Sequence, residues 1–184
     1  MAGVLRGLVA AELALGIVAL VWAVRSDTEI AYRFDIETLA IALGLSVALA
    51  IVNFSLFFLG RRFEFTRYVY TFFDDEIFPL LREATVVDII LLAAVAGFSE
   101  ELLFRGMLQP RMGLIASSLL FGLLHGPDYK LWPFAAWAAV VGAGFGLVYR
   151  ETNNLAIPML VHAFYDGLAL AYIRWTAPRK GDFA

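Results

Sequence analysis

Apolar residues in this chain run in blocks too long to be the stripe of a surface helix. The blocks at 4–24 and 39–59 each match the roughly 20 apolar residues that carry a helix across a hydrocarbon layer. From position 86 onward the chain is almost continuously apolar, and four further candidate helices are read at 89–107, 112–125, 131–149 and 155–173. The breaks between them are chemically sensible. Pro110, the Gly126-Pro127 pair, Asn153-Asn154 and Pro158 sit at or near the proposed ends, where missing backbone hydrogen bonds are tolerated. The pattern predicts an all-α fold, a polytopic transmembrane helix bundle of about six spans.

Polar connections fall at 25–38 and 60–88. Within the second, FFDDEIFPLL at 72–81 alternates acids with Phe, Ile and Leu. That suits a short helix lying in the headgroup region, with a solvated loop as the equal alternative. Arg6 followed by the apolar run 7–24 is reminiscent of a signal peptide, but no small-residue cleavage site followed by a soluble domain appears, and the run is read as a retained first span. With no internal repeat and no low-complexity tract, 1–184 reads as one integral membrane domain: 1–88 holds two N-terminal spans and their loops, and 89–173 a four-helix core.

Composition agrees with this picture. Hydrophobic residues make up 61% of the 184, against roughly 45–50% in a soluble domain, and mean hydropathy is +0.78. The 17% that are charged collect mostly between the blocks, so the net charge of −3 describes loops and leaves no basic surface for nucleic acid. The absence of cysteine removes disulfides, thiolate metal sites and cysteine nucleophiles together. With the N-terminus inside, nine Lys and Arg (Arg6, Arg61, Arg62, Arg67, Arg82, Lys130, Arg174, Arg179, Lys180) fall inside and five outside. That bias favours both termini in the cytoplasm. The expected location is a multi-pass protein of the cell membrane, the inner (plasma) membrane in a prokaryote.

Some charges do not stay between the blocks. The third span reads IILLAAVAGFSEELLFRGM, with Glu100, Glu101 and Arg105 at or past its middle. On insertion scales each such charge costs roughly 2.5–3.5 kcal/mol, and such groups face a bundle interior or a wet cavity. Glu101 and Arg105 are four residues apart, on one helix face, and suit an ion pair. Glu100 points about 100° away and has no local partner. A desolvated carboxylate of this kind suits general acid or base work near neutral pH. The only two histidines, His125 and His162, also lie in apolar segments, and Asp166 follows His162 by four. Asp166 is then placed to hold one ring nitrogen of His162, leaving the other directed toward a reacting group or a metal. A structural reading exists for each feature: intramembrane His and Glu-Arg pairs also join helices without chemistry. Gly142, Gly144 and Gly146 resemble a dinucleotide loop on paper only, since no strand precedes them. Gly142 and Gly146 form a GxxxG step for close packing. Trp132 and Trp175 are read as interfacial anchors.

Glu100-Glu101-x-x-x-Arg105, Phe121-x-x-x-His125 and His162-x-x-x-Asp166, in that order on successive apolar segments, resemble the CPBP intramembrane glutamic endopeptidases, a family that includes the CAAX prenyl proteases and abortive-infection proteins. The similarity covers roughly 89–170. It implies a metal-independent, cofactor-free hydrolase in which 89–173 is the catalytic core. Glu100, aided by His125, would activate a water, and His162 with position 166 would stabilise the oxyanion. Glu101 and Arg105 would brace the helix, with Phe121 in support. The family shows Asn or Asp at the last position. Because a negative charge repels an oxyanion, Asp166 is assigned to orienting His162 or to acting protonated. The implied substrate is a membrane-anchored peptide or protein. Three alternatives stay open: a metal-dependent hydrolase with Glu100, His125, His162 and Asp166 as ligands, a non-enzymatic immunity or scaffold protein, and a proton-relay transporter. Geometry raises a further question, because in a plain six-span bundle Glu100, His125 and His162 lie at different depths. A single site requires 112–125 to start deep in the bilayer, or strongly tilted helices.

Overall fold

A computed structural model of the chain describes residues 2–126 and 128–176. Pro127, Arg179 and Lys180, which entered the sequence reading, lie outside the described residues. Among the described residues there is no strand, and the helices follow one another as α1 (Ala2–Arg25), α2 (Ile36–Gly60), α3 (Arg67–Phe72), α4 (Phe78–Arg82), α5 (Val86–Glu101), α6 (Gln109–His125), α7 (Trp132–Thr152) and α8 (Ala156–Thr176). Four stretches, Gly3–Arg25, Ile36–Gly60, Tyr129–Thr152 and Ala156–Thr176, are long and apolar enough to cross a membrane. Their outward surfaces are apolar: Ile17 and Ile51 are each 62% exposed, and Val140 likewise. A contiguous apolar exterior of this extent is the face a bundle turns to lipid. The segment expected as an interfacial helix is helical, as α3, a π-helical turn at Phe73–Ile77, and α4.

The two remaining long helices form a hairpin. α5 starts on a capping box, in which the Thr85 hydroxyl accepts the Asp88 N–H while Asp88 accepts the Thr85 N–H. It continues through a π-helical segment, Leu102–Leu108, into α6. Pro110 does not break the chain: the backbone stays helical from Leu102–Leu108 into α6, and the proline follows directly on the π-helical segment. The break comes at Gly113, whose φ of 84° lies in the left-handed region that favours glycine. Beyond it the chain doubles back, so that Phe121 meets Phe104 edge-on with ring centroids 4.9 Å apart. The returning arm from 114 to 125 reaches only about 18 Å, well short of the roughly 30 Å of a bilayer core. His125 therefore ends beside Glu100. This answers the question of depth raised by a plain six-span bundle.

Close helix contacts align the rest. α5 crosses α8 at Gly97, where an added Cβ would come within 2.6 Å of the Ala163 backbone nitrogen. Alanine ordinarily improves a helix over glycine by nearly 1 kcal/mol, but here Gly97→Ala is expected to destabilise the protein by about 1–3 kcal/mol, as overpacking does. A rise in the melting temperature of Gly97→Ala in detergent would show that the two helices part freely. α2 runs along α8, where the buried Ser46 hydroxyl donates to the Ala42 carbonyl of its own helix at 2.6 Å and lies 3.2 Å from the Val161 carbonyl of α8. The buried Asn154 clasps the α1–α2 connection, accepting the Arg33 N–H at 2.8 Å and donating to the Arg33 carbonyl and the Thr38 hydroxyl. Asp35 caps α2. The Thr38 N–H holds its carboxyl below the usual carboxylate range, with Arg33 adding to the effect. That cap is present above the ordinary carboxylate range and fades as pH falls through the lowered value. On α7, Gly142 lies against Arg105 and Phe121, and Gly146 against Gln109 and Leu114, the close approach expected of a GxxxG step.

Candidate active site

The α5–α8 crossing brings Glu101 and His162 face to face. Glu101 Oε1 accepts from Arg105 Nη1 at 2.8 Å and from His162 Nδ1 at 2.9 Å. Arg105 uses its second arm to donate to the Gly142 carbonyl at 2.7 Å, and its guanidinium lies 4.6 Å from the Phe121 ring centroid and 5.4 Å from that of Phe145. Glu101 is 0% and Arg105 1% exposed, so the pair is sealed. The four-residue spacing anticipated this pair, but not Gly142 or the histidine. His162 is also held differently from expectation. Its Nε2 lies 3.5 Å from Asp166 Oδ2, as the spacing predicted, yet its other nitrogen is not free for a ligand, because Glu101 occupies it. The cause is the tight contact at Gly97, which a single-helix reading does not contain.

Glu100 faces the other histidine. His125 Nδ1 lies 2.8 Å from the Phe121 carbonyl. A carbonyl only accepts, so Nδ1 carries the hydrogen and the neutral ring turns its Nε2 lone pair toward Glu100 Oε2, 3.6 Å away. That separation is longer than a hydrogen bond, and Glu100 Oε2 is buried with no partner among the described residues. Exposure is graded: the side chains of Glu100, His125 and Asp166 are 13%, 28% and 29% exposed, whereas Glu101 is closed off. His125 and Asp166 are thus reachable from outside, whereas the Glu100 Oε2 itself is buried. Phe121 joins the two halves, its ring 4.3 Å from His125 and 6.1 Å from His162. Glu100, Glu101, Arg105, Phe121, His125, His162 and Asp166 thus form one cluster.

One further carboxylate reaches this cluster. Glu12, on α1, lies within Coulombic range of His162 and Asp166, and its Oε2 is buried and unpartnered. A lone acid in the middle of an apolar span was a signal of the same kind as Glu100. Among the described residues no three His, Asp or Glu side chains are arranged to hold a metal ion.

Comparison with known proteins places the similarity on the same stretch. The family model described as type II CAAX prenyl endopeptidase Rce1-like matches residues 82–168, nearly the span of the three motifs. The protein YpbD of Bacillus subtilis (strain 168) is 33% identical over 101 residues, which cover 55% of this chain and 53% of YpbD. A protein of Mycoplasma capricolum subsp. capricolum is 32% identical over 97 residues, 48% of this chain and 28% of its own length. The chain thus spans about half, or less, of the curated relatives it matches. No solved structure matches.

Proposed function

From the Rce1-like character of residues 82–168, which supports a CAAX-type intramembrane protease, we propose that this chain is a glutamic endopeptidase acting on a membrane-anchored peptide or protein. The observation that carries the reading is the Glu100–His125 pair: an unpartnered buried carboxylate oxygen 3.6 Å from an imidazole nitrogen that bears a lone pair. A water between the two would give its proton to Glu100 as its oxygen adds to the peptide carbonyl. The proton would then pass from Glu100 to the leaving amine, so the carboxylate is regenerated. Oxyanion charge would develop on the side of His162 and Asp166, where shielding from bulk water strengthens fixed donors. Glu101 and Arg105, sealed and mutually paired, hold the α5 and α8 faces in register.

The metal-dependent alternative would need His162 to give up the 2.9 Å hydrogen bond from its Nδ1 to Glu101 or to bind through the Nε2 that faces Asp166 at 3.5 Å, and no three-ligand set converges among the described residues. Chelator-sensitive cleavage restored by zinc would favour it nonetheless. The bacterial source of both relatives agrees with a location in a bacterial cell membrane. The test is a comparison of membrane-protein termini between cells carrying the wild type and Glu100→Ala at equal abundance. New termini that depend on Glu100 are expected, and identical profiles would argue against proteolysis.

A further inference from the structure

α2 ends at Gly60, and the chain turns through Arg61, Arg62 and Phe63 and one short 3-10 turn into α3. Three of the last carbonyls of α2 are already answered within this turn. The Phe57 carbonyl accepts the Tyr70 hydroxyl, and the Leu59 carbonyl accepts the Arg62 N–H at 3.1 Å. The Gly60 carbonyl accepts the Thr66 hydroxyl at 2.6 Å and the Phe63 N–H at 2.9 Å. Basic side chains after a helix commonly bond its last carbonyls, but here those acceptors are taken and the guanidinium groups are left over. Arg61, Arg62 and Arg67 line a cavity of about 440 Å³ whose other charged walls are Glu64 and Asp74. Arg67 comes within 4.0 Å of Glu64, whereas Arg61 and Arg62 have no ion pair among the described residues. Arg61 is held in place by aromatic rings instead, its guanidinium 5.7 Å from the centroids of both Phe57 and Tyr70.

Aromatic residues at the same end of the bundle mark the depth of this cavity. Phe63, Phe65 and Trp132 are each more than half exposed. The Phe65 ring joins the other two, 5.6 Å from Phe63 and stacked 5.7 Å from Trp132. Exposed aromatics at span ends sit at the headgroup level of a bilayer, so the cavity opens where lipid phosphates are concentrated. Its three arginines against two acids leave one positive charge, the complement of a single phosphodiester. A guanidinium fork also fits phosphate oxygens two at a time. We propose that this cavity binds the headgroup of a singly charged anionic phospholipid of the phosphatidylglycerol class. Arg61, Arg62 and Arg67 hold its phosphate, and its glycerol hydroxyls donate to Glu64 and Asp74. A choline headgroup brings no net charge and no donor for the two acids. Basic pockets beside spans take lipid headgroups in the same way. The lipid would seat the end of α2 and the start of α3 at the membrane surface. The cavity shares no residue with the Glu100 cluster, and lipid binding there does not depend on cleavage.

The test is native mass spectrometry of the full chain released from vesicles of equal parts phosphatidylcholine, phosphatidylethanolamine and phosphatidylglycerol. The wild type is expected to retain phosphatidylglycerol in preference to the other two. Arg62→Gln and Arg67→Gln, both at exposed positions, should each weaken that preference about fivefold. Asp74→Asn removes an opposing charge and should strengthen it, a gain that a damaged fold does not produce. Lys130→Gln serves as the control, because Lys130 packs over Tyr68 at the same end of the bundle but does not line the cavity. It should leave the preference unchanged, and a loss as large as that of Arg62→Gln would reduce the effect to general attraction by a basic surface and overturn the proposal. Phosphatidylethanolamine retained as well as phosphatidylglycerol would overturn the anionic assignment, since Glu64 and Asp74 would then be receiving an ammonium. Soluble glycerol 3-phosphate, added to the mixture and retained in place of lipid, would assign the cavity to a free phosphate and overturn it as well. A preference untouched by Arg62→Gln, Arg67→Gln and Asp74→Asn alike would place the lipid elsewhere. None of these readouts involves a substrate, so their failure leaves the peptidase reading intact, and an inactive wild type leaves the lipid site intact.

Discussion

Glu100→Gln is expected to slow peptide cleavage by about 10²–10⁴-fold, the range general acid–base groups supply, with the protein still folded and present in the membrane. Glutamine keeps the volume and one acceptor of glutamate but takes up no proton from a water. The structure also implies that folding tolerates the change. Glu100 Oε2 has no hydrogen-bond partner to lose, and its nearest basic atom, His125 Nε2, is 3.6 Å away. Removing one of several crowded carboxylates relieves repulsion with Glu101 and Asp166. The thermal transition of Glu100→Gln in detergent is therefore expected at or above that of the wild type. Single-turnover cleavage of a substrate found by terminus comparison reads the chemical step directly. A rate within about tenfold of wild type would remove Glu100 from the role of base.

Arg105→Leu is expected to act on stability first, at a cost of about 3–5 kcal/mol, because it strands a buried partner. Glu101 would remain 0% exposed with only His162 to answer its charge, and the Gly142 carbonyl would lose its donor. Lysine is a poor substitute, since one ammonium does not reproduce the fork that contacts Glu101 and Gly142 at once while lying over Phe121. The double variant Glu101→Gln with Arg105→Leu should lose less than Arg105→Leu alone, because no uncompensated carboxylate is left behind. Denaturation midpoints in mild detergent measure all three. If Arg105→Leu unfolds like the wild type, the pair does not brace the bundle.

Much of the molecule is legible in the linear pattern. Lipid offers no hydrogen bonds to a backbone and penalises charge, so long apolar blocks read as helices, and acids and histidines inside them stand out. Contacts within one helix are equally readable. Glu101 with Arg105 and His162 with Asp166 follow from a four-residue step. Glu12 carried the same signal as Glu100, but it stood alone in its span with no spaced partner, and nothing in one helix tied it to a site.

Contacts between helices were not legible, because the period of a helix says which residues share a face but not which face meets which. The pairing of His162 with Glu101 depends on how closely α5 and α8 approach at Gly97. The meeting of Glu100 with His125 depends on a single left-handed glycine, Gly113, where proline rules pointed to Pro110 instead. Periodicity and the cost of burying charge determined from sequence alone that this chain is a helical membrane protein with ionisable groups inside its spans. Only the tertiary structure decided which of those groups touch, because depth and partner are set by turn conformation and interhelical spacing, which act across stretches of chain that no local pattern connects.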